Sequence, residues 1–419
     1  MWQDRLLIVS LCAETVLMAV TWKLWTGGSA FPAVPLLKEL SVVPMVVDQV
    51  LAAMMLGSLF GAIGVLVQRW RQATGFGRTS PDWLLTVFVF CGTAMGVLNQ
   101  HRFQSWHWLT LLLVAQYLVL PPAERLRTWR ITIATIYCFA ALSRLSPDMG
   151  GSMSREILTT ILAKGGAGHL TRNATWISVG CGLMTLAEFL TGLGLCWKPT
   201  RRLSVTVSML MHLTLVTALG PWGLNHHHGV LCWNLFFLVA VPLLFVMCEE
   251  PAAPIHRTPS AKSRWIQFFL VLFPLSGLWG VADNWPSWQL YSPRPEVLKL
   301  YVHADDVSRL PPTLQPFVSP PAPLQDWCGV RLDRWSLNET NAPIYPEDRF
   351  QLAVAAFATG ALPQDRFRVE LDIPDEVRWW RRRRLEAQGL QGTVARYRSK
   401  LILNADTVRE SSVIKEQMR

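Results

Sequence analysis

The sequence predicts an all-α polytopic membrane helix bundle carrying a small C-terminal extramembrane α+β domain, and three observations predict it. Hydrophobic residues make up 51% of the 419-residue chain and charged residues only 16%, well short of the roughly 25% charge of an average soluble domain. From Met1 to about Ala282 the apolar residues are bunched into blocks, each near the ~20 residues that cross a hydrocarbon core, and after Asp283 the blocks stop. Many tryptophans, among them Trp22, Trp70, Trp83, Trp106, Trp197 and Trp265, stand at block ends, where an amphipathic ring prefers the headgroup region. The domains expected are therefore 1–282, transmembrane, and 283–419, extramembrane.

About nine spans are predicted: Arg5 to Thr26, Val43 to Gln68, Trp83 to Leu98, Trp106 to Leu120, Ile131 to Leu145, Ala174 to Trp197, Leu203 to Gly220, Val230 to Cys248 and Trp265 to Ala282. The third to fifth are short and suit tilted, partly re-entrant or interior helices. Helices are the only reasonable solution, because lipid-exposed backbone must satisfy its own hydrogen bonds and no alternating-strand pattern occurs. The first block has a basic start at Arg5, yet it contains Glu14 and runs on to Trp25 without a small-residue cleavage site, which predicts an uncleaved span.

Orientation follows from Lys and Arg in short loops, which are retained on the cytoplasmic side. With the N-terminus inside, the inner segments hold 13 cations, including Arg69, Arg71, Arg125, Arg127, Arg201 and Arg202, against 5 outside, Lys38, Arg102, Arg155, Lys164 and Arg172. The expectation is a bacterial inner-membrane protein with its C-terminal domain outside. The net charge of +10 is explained by these membrane-flanking loops, and nucleic acid is not an expected partner. The run Arg381 to Arg384 is the only dense basic cluster, read as a solvated helix face or a lipid-headgroup contact. Of 8 cysteines only Cys328 lies beyond Ala282, and no CxxC occurs, so neither a zinc ribbon nor a redox pair is encoded.

The C-terminal domain leaves the membrane through Trp285, Pro286, Trp288, Tyr291, Pro293 and Pro295. Glu296 to His303 and Arg366 to Asp372 alternate as strands; Pro346 to Gly360 has helical spacing with an acidic start at Glu347 and Asp348. Prolines between Pro311 and Pro323 make an irregular connector. There is no Gly-rich phosphate loop, nucleophile elbow, HExxH or internal repeat.

Polar groups inside spans are costly, which makes Glu14, Asp48, Arg144, Glu188 and His212 candidates for function. The plainer reading is an internal ion pair, Arg144 with Asp48 or Glu188. Asn99, His101 and His107 flank the turn between the third and fourth spans, Arg144 and Asp148 end the fifth, and Asn225 to His228 follow the seventh. In the orientation above these face the outer side, so a polar pocket opening outward is expected, with His212 and Glu188 at its floor. Its binding residues are taken as Asn99, Asp148, Glu188, His212 and His227, with His101 and Arg144 as catalytic candidates. Adjacent imidazoles diverge, so the His226 to His228 run is read as hydrogen-bonding rather than as a metal site.

The segment Tyr137-Cys-Phe-Ala-Ala-Leu-Ser-Arg-Leu-Ser-Pro-Asp148 resembles the Tyr-Phe-x-Ala-Gly-x-x-Lys-Leu-x-x-Asp-Trp motif of the HTTM family, the membrane domain shared with vitamin K-dependent gamma-carboxylase. Asn99-Gln-His101-Arg-Phe resembles that family's Asn-His segment, and Glu188 and His212 fall where it carries an acidic residue and a helix histidine. For the carboxylase, the resemblance implies a lumenal site where a deprotonated lysine and a histidine support oxygenation of vitamin K hydroquinone. Here Arg144 stands at the lysine position and Met149 at the tryptophan position. A guanidinium with a pKa above about 12 cannot serve as base, so carboxylase activity is not expected, whereas anion holding is.

Three functions follow in order: binding of a lipid-soluble or anionic small molecule, an enzyme acting on a quinone-like or lipid substrate with His101 as proton carrier, and a transporter. Transport ranks last because neither inverted repeats nor paired broken helices are visible. Membrane lipids are expected partners, and no cofactor is named by any motif.

Overall fold

The structure, a computed structural model, describes residues 2–71, 80–145, 153–248, 259–290, 292, 297–374, 382–388 and 403–409. Helix α1 (Trp2–Val20) buries Leu7, Leu11, Glu14 and Met18 at steps of three and four, one face of a 3.6-residue period. Short α2 (Trp22–Thr26) stops at Gly27, whose φ of +69° is the left-handed conformation that ends helices. Helix α3 (Val46–Arg71) buries Asp48, Ala52, Met55, Leu59, Ala62 and Leu66 in the same rhythm, and packs along α4 (Asp82–Leu98). After a turn at Gln100–Arg102 come α5 (Ser105–Val119) and α6 (Pro122–Arg144).

Helix α7 (Met153–Lys164) leads to α8 (Ala174–Cys196), α9 (Arg201–Leu219), α10 (His228–Pro242) and α11 (Ala261–Gly277). Pro242, which cannot donate a backbone hydrogen bond, passes α10 into a π turn over Leu243–Met247. Arg130 of α6 satisfies carbonyls freed there, donating from Nε to Leu244 O at 3.1 Å and from Nη2 to Cys248 O at 2.9 Å.

The chain is mostly helical. Among the described residues four helices are long and apolar enough to cross a membrane: α3, α8, α9 and α10 with its π turn; α4 is a shorter apolar helix. All nine apolar blocks are helical, but α4, α5 and α11 are only 17, 15 and 17 residues long, and α6 carries Arg125, Arg127 and Arg130. Helix α7 was not anticipated; its apolar face (Ile157, with Met153 and Ile161) packs with Ala218 and Leu219 at the end of α9.

The C-terminal region is a four-stranded antiparallel sheet with order β2-β1-β3-β4: β1 (Val297–His303), β2 (Trp327–Val330), β3 (Phe367–Pro374) and β4 (Arg382–Gln388). Leu300 sits opposite Val330 on one side and Val369 on the other. Helices α12 (Leu332–Thr340) and α13 (Asp348–Ala358) share a core with the alternating residues Leu298, Leu300 and Val302 of β1. The expected strands and helix correspond to β1, β3 and α13, while β2, α12 and β4 were not anticipated. The basic run is corrected: Arg382 to Arg384 lie on β4, at the sheet edge, rather than on a helix.

The two regions interlock across the 282/283 boundary. Phe31 and Val34, from the α2–α3 connection, lie in the core of the C-terminal domain, and Trp288 and Ala342 lie in the core of the bundle. Arg349 donates from Nε to Gln100 Oε1 at 2.8 Å and forks onto Asp283, which also accepts from the Tyr345 hydroxyl at 2.6 Å. Burial alone would lower the Arg349 pKa, but Asp283 beside it raises it above the ordinary arginine range.

The α6–α8 contact depends on Gly192, where a Cβ would lie 2.7 Å from Cys138 Sγ and 3.1 Å from the Ala134 carbonyl. Gly192→Leu is expected to cost at least the ~1–3 kcal/mol typical of overpacking and to lower the melting temperature in detergent. Gly182→Leu, which would meet nothing within 4 Å, is expected to leave it unchanged.

Candidate functional site

The expected site residues fall into separate centres. Helices α6, α8, α9 and α10 build a polar column. At the end nearest the C-terminal domain Arg144 Nη1 meets Glu188 Oε2 at 2.6 Å and Arg144 Nη2 meets Oε1 at 3.0 Å, a two-pronged pair. Arg144 Nε also donates to the Leu290 carbonyl at 3.4 Å, and Ser292 donates to the Ser143 carbonyl at 2.8 Å, so the exit segment lies against this pair. Of the two carboxylates considered for Arg144, its partner is Glu188.

Seven residues earlier on α6, about 10 Å along the axis, Tyr137 hydroxyl is 2.7 Å from both Ser208 Oγ and His212 Nε2. Asn234 donates from Nδ2 to the Val230 carbonyl at 2.8 Å, which turns its Oδ1 to His212 Nδ1 at 2.8 Å. The network thereby assigns the proton to Nδ1 and leaves Nε2 to accept from Tyr137, whose oxygen accepts from Ser208. Phe237 stacks on the His212 ring at 5.0 Å. This is a directional hydrogen-bond chain with no free member.

His101 stands elsewhere, in the turn between α4 and α5, beneath the C-terminal domain. Asn99 Oδ1 accepts from the His101 backbone N–H at 3.2 Å and shapes the turn. His101 Nε2 is 2.9 Å from the Pro343 carbonyl, which can only accept, so Nε2 carries the hydrogen. Nδ1 is left with a lone pair and no hydrogen-bond partner among the described residues. Phe31 and Phe350 flank the ring at 5.4 and 5.3 Å. Burial pushes the His101 pKa down to about 4, with the neighbouring Arg102 charge acting in the same direction. Asn99, His101, Arg102 and Lys23 line a common cavity of about 10 Å³, room for about one water.

His227 caps α10, accepting from the Gly229 backbone N–H at 3.1 Å, and burial lowers its pKa. Asp148 lies outside the described residues. Thus Arg144, Glu188 and His212 belong to one column, Asn99 and His101 to a second centre, and His227 to neither. Among the described residues no group of three His, Cys, Asp or Glu side chains comes together as a metal site.

Sequence reasoning missed two arrangements. His107 Nδ1 meets Glu14 Oε1 at 2.5 Å, with the outer Glu14 oxygen and His107 Nε2 lacking partners among the described residues. Both residues stand out in the sequence, but the three helices α2, α3 and α4 lie between them, and nothing local joins them. Tyr137, Ser208 and Asn234 were likewise without an assigned role; Tyr137 opens the motif quoted above, while for Ser208 and Asn234 the only signal was being polar in an apolar span. The chain matches no family model, no curated protein and no solved structure.

A histidine buried neutral makes a signed pH prediction. The folded His101 pKa of about 4 lies below its ordinary value of 6.5, so the unfolded chain takes up the proton first. Its contribution is complete above about pH 6.5 and is lost as pH falls towards 4, a swing of order 3 kcal/mol. Urea titration between pH 7.5 and 4 is expected to show this loss, and His101→Gln is expected to reduce it; equal pH slopes would refute the assignment.

Proposed function

We propose that this chain is a multi-pass inner-membrane protein of HTTM type, with about nine spans, that binds an anionic, lipid-soluble small molecule at Arg144. The observation that carries the reading is the exposure of the ion pairs towards the bundle's outer end. Asp48 with Arg102, Asp48 with Arg409 and Glu14 with His107 all have side chains at 0% exposure, whereas Arg144 and Glu188 retain 15% and 10%. A ligand carboxylate, phosphate or quinone-derived oxyanion arriving from that opening takes the place of Glu188 on the guanidinium fork. Arg144 stays neutralised in the exchange, and Glu188, released from the guanidinium, takes up a proton as the anion binds, so that no buried charge is left unpaired. The N-terminus is inside and the C-terminal domain outside in this reading, beside the same opening.

The test separates ligand binding from folding. With oleate and a quinol as probes, Glu188→Gln is expected to bind the anion as well as or better than wild type, because its guanidinium is free. Arg144→Ala/Glu188→Gln, which leaves no buried charge unpaired, is expected to lose at least tenfold in affinity. Equal binding by both variants would sink the proposal, and a C-terminal reporter found in the cytoplasm would overturn the orientation.

His101 favours a second reading, a membrane enzyme acting on a quinone-like or lipid substrate. Its Nε2–H is held by a carbonyl, and its Nδ1 lone pair, without a partner among the described residues, is a free acceptor for a substrate hydroxyl that reaches the cavity. In that case turnover of a quinol collapses in His101→Gln while oleate binding at Arg144 is retained; unchanged turnover removes the reading.

A further inference from the structure

Residues 403–409 return from the far end of the chain to the outer mouth of the bundle. Asn404 donates from its backbone to the Leu36 carbonyl at 3.0 Å and from Nδ2 to the Pro35 carbonyl at 2.9 Å, and Arg409 N–H donates to the Ala33 carbonyl at 2.8 Å. Gln100, next to His101, donates to the Asn404 carbonyl at 3.2 Å. This strap ends in a side chain with no exposure at all. Arg409 Nη1 and Nη2 fork onto Asp48 Oδ1 and Oδ2 at 3.0 and 2.5 Å. The same guanidinium donates to the carbonyls of Val43 at 3.0 Å, Pro44 at 3.1 Å and Leu98 at 3.3 Å.

Among the described residues, every acceptor around that guanidinium belongs to the first turn of α3, to the two residues Val43 and Pro44 that lead into it, or to the end of α4, and none to the strap. The bundle therefore carries a receptor of one carboxylate and three carbonyl oxygens, an acceptor set that the several donors of a guanidinium fork can engage together. Asp48 also holds Arg102, so two cations share one carboxylate. Withdrawing Arg409 leaves Asp48 neutralised by Arg102, whereas removing Asp48 strands both cations. Ala33, the backbone partner of Arg409, lines the His101 cavity together with Met45 and Asn99.

We propose that Asp48 and the carbonyls of Val43, Pro44 and Leu98 form a guanidinium-binding site occupied in cis by Arg409, which makes the C-terminal strap a releasable latch over the His101 cavity. A guanidinium from outside, free or on an arginine side chain, takes the same place. The inference does not rest on ligand binding at Arg144.

The experiment uses the full-length purified chain and diethylpyrocarbonate modification of histidine, located by mass spectrometry, with His212 as the internal reference. In wild type both histidines are expected to react slowly. In Arg409→Ala, His101 is expected to react at least tenfold faster while His212 is unchanged, and millimolar methylguanidinium is expected to restore protection where methylammonium does not. Asp48→Asn/Arg409→Ala is expected to lose that restoration. An unchanged His101 rate in Arg409→Ala, an equal rise at His212, or protection by both cations alike would each overturn the proposal.

Discussion

A carboxylate at the head of an apolar helix must be neutralised before the helix can pack, and in this protein Asp48 sets that condition for the end of the bundle that meets the C-terminal domain. It lies wholly buried at the start of α3 and is met by Arg102 from the α4–α5 turn and by Arg409 from the C-terminal strap. Leaving such a charge alone costs several kcal/mol, so three distant segments converge on one point. Arg102 in turn donates to the Leu24 carbonyl at 2.9 Å, drawing in the end of α2. The position of Asn99, Gln100 and His101 follows from this anchoring, because they share the turn that Arg102 pins.

The docking of the C-terminal domain extends the same logic outward. Gln100 accepts from Arg349, and Asp283 neutralises it, while Phe31 and Val34 enter the domain core from the opposite direction. Hydrophobic exchange of this kind removes apolar surface from both regions at once. The docking covers the Nε2 side of His101 through the Pro343 carbonyl, and its unpaired Nδ1 is a cost that the fold carries beneath the domain. The Arg144–Glu188 pair stands apart from this seal, against the exit segment instead.

Much of the fold was legible, and the reasons are local. Apolar blocks and tryptophan punctuation located the helices, alternation located β1 and β3, and the acidic start of Pro346 to Gly360 located α13. Helix α7 was missed because it is short and mixed in polarity, β2 because four residues are too few to show a period, and the strap because nothing in residues 403–409 differs from a polar tail. For the site, the need of Arg144 for an anion was legible, since an arginine in a span requires one, but Asp48 and Glu188 were both open to it and packing made the choice. The separation of His101 from Arg144 was not, because sequence order along antiparallel helices does not say which sides face each other.

The sequence by itself determined that the chain is helical and membrane-suited in its first two thirds, that a compact α+β domain follows, and that a handful of charged residues must find partners inside. Those conclusions rest on composition and period, which act over neighbouring residues. Only the tertiary structure decided which partner each charge takes, which histidine keeps a free nitrogen, and that Arg409 closes on Asp48. Pairing across 361 positions depends on how whole helices and the sheet pack, and that packing is a property of the assembled core rather than of any segment.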